Sequence, residues 1–353
     1  MSEIPTIIEF LESTGAHLRL FDMGRRVVKL SREEFLKFER NEIPYPLPLQ
    51  QQAWFGILFQ EKETEAEPFI WFLRLPLDEV GRLTTAARDD FLHRLLERAG
   101  ENLLASKEGR QLENALKDNP YCFKPRDDRM AIFHAKASHG MKQPASQYYS
   151  HAQKYFGGEL GWDQWSFVGY QGIADIAARL DEGDNSSILA SAIPLLPARP
   201  FEALCHCLEN EQIALPIAEA ILKRAQQSLE ETAPDLTIIS AAIRGMALTR
   251  SKNTREQLIQ AVLDNPCSSS PDVLAALSGR TWEPLADARF SLPFLERLAQ
   301  NSAGQDFFNQ CLSDLLYLPG MREPLLKTLR NPARSEQLAE AMGSLFQSVG
   351  KTD

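Results

Sequence analysis

The chain has 353 residues, 44% hydrophobic and 24% charged, the composition of an ordinary soluble globular protein of about two domains or one repeat array. That balance excludes a mainly disordered chain, a collagen-like fibre and a small disulfide scaffold. A net charge of −10 argues against non-specific nucleic-acid binding by the surface as a whole.

Residues 4–11 read as a short helix and 18–21 as a strand. Asp22-Met23-Gly24-Arg25 carries turn chemistry, and 26–30 reads as the returning strand of a hairpin. Ser31 with Glu34 three residues on is a capping box that opens a helix to about Arg40, beyond which Pro44, Pro46 and Pro48 forbid continuation. Residues 53–59 and 69–75 are apolar on both alternating faces, as expected of strands in the middle of a covered sheet. The acidic stretch 61–68 between them reads as an exposed hairpin loop. Thr84 and Thr85 cap a helix with Phe91, Leu92, Leu95, Leu96, Ala99 and Leu103 on one stripe. The order α-β-β-α-β-β-α predicts an antiparallel α+β domain over residues 1–105.

From about residue 160 strand signals vanish and helical stripes follow one another. Ile217, Ala218, Ile221, Leu222 and Ala225 make one, and Leu258, Ile259, Val262 and Leu263 another. Ser270-Pro271 is an N-cap with Pro at N1, leading into Val273, Leu274 and Leu277. Phe307, Phe308, Cys311, Leu312, Leu315 and Leu316 form a broad stripe, and Leu338, Met342 and Leu345 belong to the last. Helices of roughly 10–15 residues with short connections fit stacked hairpins, so 161–350 is expected to be an all-α, HEAT-like helical repeat (solenoid) region. No strict repeat consensus is visible, which leaves a compact helical bundle as the other arrangement. Residues 106–160 then form a connecting segment.

Met1-Ser2-Glu3-Ile4-Pro5 lacks the basic and apolar regions of a secretory signal, and no run approaches the roughly 18 apolar residues of a spanning helix. Five cysteines, an odd number, fit a reducing, cytoplasmic setting. Cys205-His206-Cys207 invites a metal reading, but on a helix the two thiols point to opposite faces. Cys205 falls on an apolar stripe with Phe201, Leu204 and Leu208. No C-x-x-C, H-E-x-x-H or G-K-[ST] element is present, so no metal, cofactor or phosphate-loop motif is expected.

The most individual stretch is 119–180. Its motifs are Asn119-Pro120, Phe123-Lys124-Pro125-Arg126, Phe133-His134-Ala135-Lys136, Gln147-Tyr148-Tyr149, and Gly161-Trp162-Asp163-Gln164-Trp165 running into Gln171-Gly172-Ile173-Ala174-Asp175. On these residues the chain resembles, over nearly its full length, an uncharacterised proteobacterial family catalogued as domain of unknown function 3549. The resemblance implies a soluble bacterial protein and transfers no catalytic residues.

Physically, Trp162, Trp165, Gly169, Gly172, Ile173, Ile176 and Leu180 fall near one helical face. Indoles followed by two glycines predict a helix lying close against another backbone. The expected role of Trp162, Asp163, Trp165, Gly169 and Gly172 is interdomain core, with Asp163 accepting indole N–H bonds or capping the helix. Upstream, the window 117–154 holds seven basic and three acidic residues in an otherwise acidic chain. Lys124, Arg126, Arg129, His134 and Lys136 alternate there with aromatics such as Tyr148 and Tyr149, a mixture that suits single-stranded nucleic acid, an acidic protein partner, or the acidic helical region of the chain itself. Docking on the chain's own acidic region is the first expectation. Asp127 and Asp128 with His134 and Lys136 can be drawn as a metal-assisted nuclease centre, although the spacing matches no strict motif. The leading functional expectation is a non-enzymatic interaction or scaffold protein with a protein partner. Nucleic-acid association through 119–154 is the second, and a hydrolase the third.

Overall fold

The computed structural model describes residues 6–13, 15–61, 68–99 and 119–349. The acidic loop at 62–67, Leu103 and residues 106–118 lie outside the described residues. The chain divides into two units, one within Met1–Arg126 with Tyr317–Pro319, the other within Asp127–Leu316 with Gly320–Asp353.

In the first unit the elements α1 (Ile7–Ser13), β1 (Ala16–Asp22), β2 (Val28–Leu30), α2 (Arg32–Glu39), β3 (Gln52–Glu61), β4 (Phe69–Pro76) and α3 (Thr85–Ala99) follow the expected order. The strands form one antiparallel sheet, β2-β1-β3-β4. Ser31 opens α2 as its side chain accepts from the Glu34 N–H. Pairing Phe55 with Leu73 and Ile57 with Trp71 sets these four side chains on one sheet face, because strand side chains alternate. There they form a single core with Ile7, Phe35, Phe38, Phe91, Leu92 and Leu95.

Two expectations are corrected here. Leu96 is 43% exposed, because on a helix it stands about 140° round from Phe91. β4 lies at the sheet edge, and its second apolar face has a local cause. Arg74 N–H donates to Tyr121 O and Phe123 N–H to Phe72 O, so residues 121–123 add a short strip to the free edge. The Phe123 ring then covers Trp54 and Phe72.

The start of α1 rests on a buried acid. Glu39 accepts the Ile7 N–H at 2.7 Å and the Ile8 N–H at 3.1 Å through its two oxygens, filling the role of an N-cap from another helix. Burial pushes its carboxyl up to about 7, against the lowering effect of those two bonds and of Arg88.

In the second unit α4 (Asp127–Gly140), α5 (Tyr149–Phe156), α6 (Tyr170–Ala178), α7 (Asn185–Ala192), α8 (Ala198–Leu208), α9 (Leu215–Leu229), α10 (Leu236–Gly245), α11 (Lys252–Asp264), α12 (Pro271–Arg280), α13 (Ala288–Ala299), α14 (Gln305–Leu316), α15 (Arg322–Leu329) and α16 (Glu336–Val349) succeed one another. Alternate helices pack together. One series runs α4-α6-α8-α10-α12-α14-α16 and the other α5-α7-α9-α11-α13-α15. The predicted stripes supply the contacts: Ile217, Ile221 and Ala225 are fully buried, as are Leu258, Val262, Val273 and Leu277. Asp235, Ser251 and Asp287 cap the helices that follow them through side-chain bonds to backbone N–H groups. α8 is buried on two sides, so Cys207, expected on the face opposite Cys205, is as inaccessible as Cys205. No helix among the described residues is long and apolar enough to cross a membrane.

Two predictions follow from these contacts. The carboxyl of Glu39 is easier to protonate folded than unfolded, so its stabilisation is complete below about pH 4.5 and is lost as pH rises through about 7. Thermal unfolding across that window is expected to show up to about 3 kcal/mol of decline, flattened by Glu39→Gln. Gly172 has no room for a side chain, since a Cβ there would sit 2.5 Å from Tyr148 O, whereas a Cβ at Gly343 meets nothing within 4 Å. Gly172→Ala is therefore expected to cost about 1–3 kcal/mol and Gly343→Ala to gain about 0.5–1 kcal/mol, read as opposite shifts in melting temperature.

Candidate functional site

The basic aromatic stretch does not form one patch. Tyr121 donates to Asp90 and, with Phe123, belongs to the sheet of the first unit, where Lys124 and Arg126 are exposed. Arg129, His134, Lys136, Tyr148 and Tyr149 belong to the second unit. On α4 the apolar face, Ala131, Ile132, Phe133 and Ala135, is buried. Most of the polar residues beside it have partners of their own. Lys136 Nζ donates at 2.6 Å to both Asn210 O and Glu211 Oε1. His139 stands between Asp181 and Glu182, and Arg129 reaches Glu209. His134 is exposed. Tyr149 is tied inward: its hydroxyl accepts from Gln153 and Asn185, and its ring lies beneath Arg179. Asp127 and Asp128 occupy the first turn of α4, a position favoured by the helix dipole. Among the described residues no three His, Cys, Asp or Glu side chains are grouped to hold a metal ion.

The Gly-Trp-Asp-Gln-Trp element departs from the expected helix. Trp162–Phe167 is a short 3-10 helix, separated from α6 by extended backbone at Val168 and Gly169. Gly161, at φ 79°, turns the chain into it. The indoles are half-buried and Asp163 is exposed, where it accepts from Gln164 rather than from an indole. Trp162 packs edge-on to Tyr155, and Trp165 lies under Arg199. Gly169 lies against the Tyr148 ring, and Gly172 against the Tyr148 backbone, the close approach that the glycines predicted. Phe167 at 73% exposure, Leu195 at 60% and Tyr148 at 48% are large apolar side chains of this unit left in solvent.

A buried ion cluster brings together residues far apart in the sequence. Glu209, at the C-cap of α8, is 1% exposed and faces three guanidinium groups from three other helices. Arg244 of α10 donates through Nε to Oε2 at 2.6 Å. Arg129 of α4 stands at 3.3 Å from Oε1, and Arg280 of α12 at 3.8 Å from Oε2. Burial alone would raise this carboxyl; the fields of Arg280, Arg244 and Arg129 outweigh it and hold the group at about 2. Nearby, burial and the positive field of Arg244 lower His206 to about 4, so its imidazole is neutral at pH 7. Arg244 and Arg280 each lie in the last turn of a helix, and that recurrence in successive helices of one series is the one sequence signal that could have marked them.

A family model described as a protein of unknown function, DUF3549, matches residues 2–346. Neither a curated protein nor a solved structure matches the chain.

Removing the charge of Glu209 leaves three arginines facing one another in a largely buried site. Glu209→Gln is expected to cost about 3–5 kcal/mol, measured by denaturant unfolding at pH 7. Because the folded carboxyl is held low, its stabilisation is present above about pH 4.5 and lost as pH falls towards about 2. The difference between wild type and variant should shrink over that acid range.

Proposed function

Since the chain belongs to the DUF3549 family of unknown function, membership supplies no activity, and we propose from its own residues that it is a non-enzymatic interaction protein that binds a protein partner through the helical second unit. The alternating packing of α4 to α16 in two series supports reading that unit as a HEAT-like solenoid, an architecture with a large surface for its volume. The carrying observation is that Tyr148, Phe167 and Leu195 are large apolar side chains left exposed in this unit, while Arg199 stands over the half-buried Trp165. Large side chains left in water without a partner are a cost, and rimmed apolar patches mark interaction sites. The partner that fits brings apolar anchors for Phe167 and Leu195 and a carboxylate for Arg199.

Nucleic-acid association through 119–154 has narrower support. Lys124, Lys142 and Lys154 are exposed, whereas Arg129, Lys136 and His139 lie against carboxylates. A nuclease centre loses its lysine in the same way, since Lys136 is bonded to Asn210 and Glu211.

The test is affinity capture with the full chain, followed by reconstitution with the purified partner. Wild type is expected to hold one partner stoichiometrically, and Phe167→Ser/Leu195→Ser to weaken that complex at least tenfold with an unchanged melting temperature. Equal binding by the double variant, or no protein partner alongside a salt-sensitive shift of a single-stranded probe, would overturn the proposal in favour of the nucleic-acid reading.

A further inference from the structure

We propose that the outer face of α15 is a docking site for an acidic segment of a protein partner. A cavity of about 470 Å³ borders this helix, and among the described residues it is lined by Arg322, Glu323, Leu326, Lys327 and Arg330. The helix is fixed from behind, because Leu325, Thr328 and Leu329 are buried and the Thr328 hydroxyl meets that of Ser291 on α13. Its outward charges are not used by the fold. Arg322, Lys327 and Arg330 are exposed, and their side chains make no hydrogen bond or ion pair among the described residues. Arg179, Arg244 and Arg289 of the same unit, by contrast, each reach a carboxylate. Glu323 stands one turn before Lys327, a spacing at which such residues pair on many helices, yet its side chain is exposed and unbonded as well. Three cations against one carboxylate give this lining a charge of +2 in a chain of −10. Arg322, Leu326 and Arg330 follow at intervals of four residues and share one side, with the two arginines about 12 Å apart along the axis. The half-buried Leu326 lies midway. Cation, apolar group and cation in that order complement a segment that carries two carboxylates with an apolar side chain between them. A nucleic-acid strand presents an unbroken row of phosphates, which Glu323 repels, whereas a protein segment can set a donor opposite it.

This surface goes beyond the protein-partner reading above and does not rest on Phe167 or Leu195. The test titrates the full chain with a labelled synthetic helical peptide, read by fluorescence anisotropy at low salt. The peptide carries two glutamates at the spacing of the two arginines and a leucine midway. Wild type is expected to bind it saturably, and to bind the same peptide with glutamines in place of the glutamates at least tenfold more weakly. Arg322→Glu/Arg330→Glu should lose at least tenfold in affinity for the glutamate peptide. Its melting temperature should stay within about two degrees of wild type, since both side chains are exposed. Phe167→Ser/Leu195→Ser is expected to bind the peptide normally, so failure here and failure of the protein-partner reading are told apart. No binding, equal binding of the glutamate and glutamine peptides, or undiminished affinity in the charge-reversed variant overturns the proposal. Tighter binding of a single-stranded oligonucleotide of the same charge than of the glutamate peptide also overturns it, in favour of nucleic acid.

Discussion

A carboxylate at the C-cap of a buried helix is in an unfavourable electrostatic position. The α8 dipole places its negative end there, and burial removes the water that would otherwise solvate the charge. Glu209 is stable only because cations arrive from outside α8. They come from α4, α10 and α12, each a different helix of the series in which α8 stands. The ion cluster therefore acts as a register check on the packing of the second unit. If α10 slides by one turn on α8, the guanidinium of Arg244 moves several ångströms from its acceptor and a buried charge is exposed to an apolar wall. Apolar packing such as Gly245 against Cys205 gives the same interface its energy and tolerates more latitude.

The first unit solves its boundary problem by a different device. A four-stranded sheet has two edges, and an apolar edge strand invites pairing with another chain. β4 is protected by the strip at 121–123, which accepts a backbone bond from Arg74, donates one to Phe72 and lays Phe123 over Trp54. The aromatic residues of that strip, which in composition look like a nucleic-acid surface, are spent on covering the sheet. The same holds further along, where Tyr149 is enclosed by Gln153, Asn185 and Arg179. Composition counts charges and rings; it does not say which of them already have internal partners.

That distinction decides what could be read from the sequence. The hairpin pairing Leu20 with Leu30, the cap at Ser31, and the stripes at Ile217–Ala225 and Leu258–Leu263 were legible because each rests on a local period or a contact within a few residues. The break between Trp162–Phe167 and α6 was not, because Gly161 and Gly169 are compatible with either a helix contact or a chain turn and only tertiary packing chooses. Gly172 nonetheless meets the backbone at Tyr148, the close approach that a glycine there permits. The edge position of β4 was hidden because its second face is covered by residues some 50 positions later. The Glu209 cluster was hidden for the same reason on a larger scale: its members come from positions 129, 209, 244 and 280, and no window in a single sequence holds them together.

Ordinary folding places apolar groups inside and charges outside, and the second unit reverses this at two places. Phe167 and Leu195 stand in water while Glu209 and three arginines are largely withdrawn from it. Exposing an aromatic ring forgoes about 1.5–3 kcal/mol of burial, and a buried ion cluster returns little net stability compared with apolar residues of the same volume. Neither arrangement is what stability alone would select. The long apolar stripes of α9, α11 and α12 offset what these departures cost, and departures from the rule are where functional constraints are to be sought. The two places differ in kind. An exposed ring gains on contact with another apolar surface at any ionic strength, whereas the guanidinium groups around Glu209 are held by charge within the chain. On the proposed reading, a partner seated on Phe167 is therefore expected to be retained at high salt, because contact between apolar surfaces does not depend on screened charge.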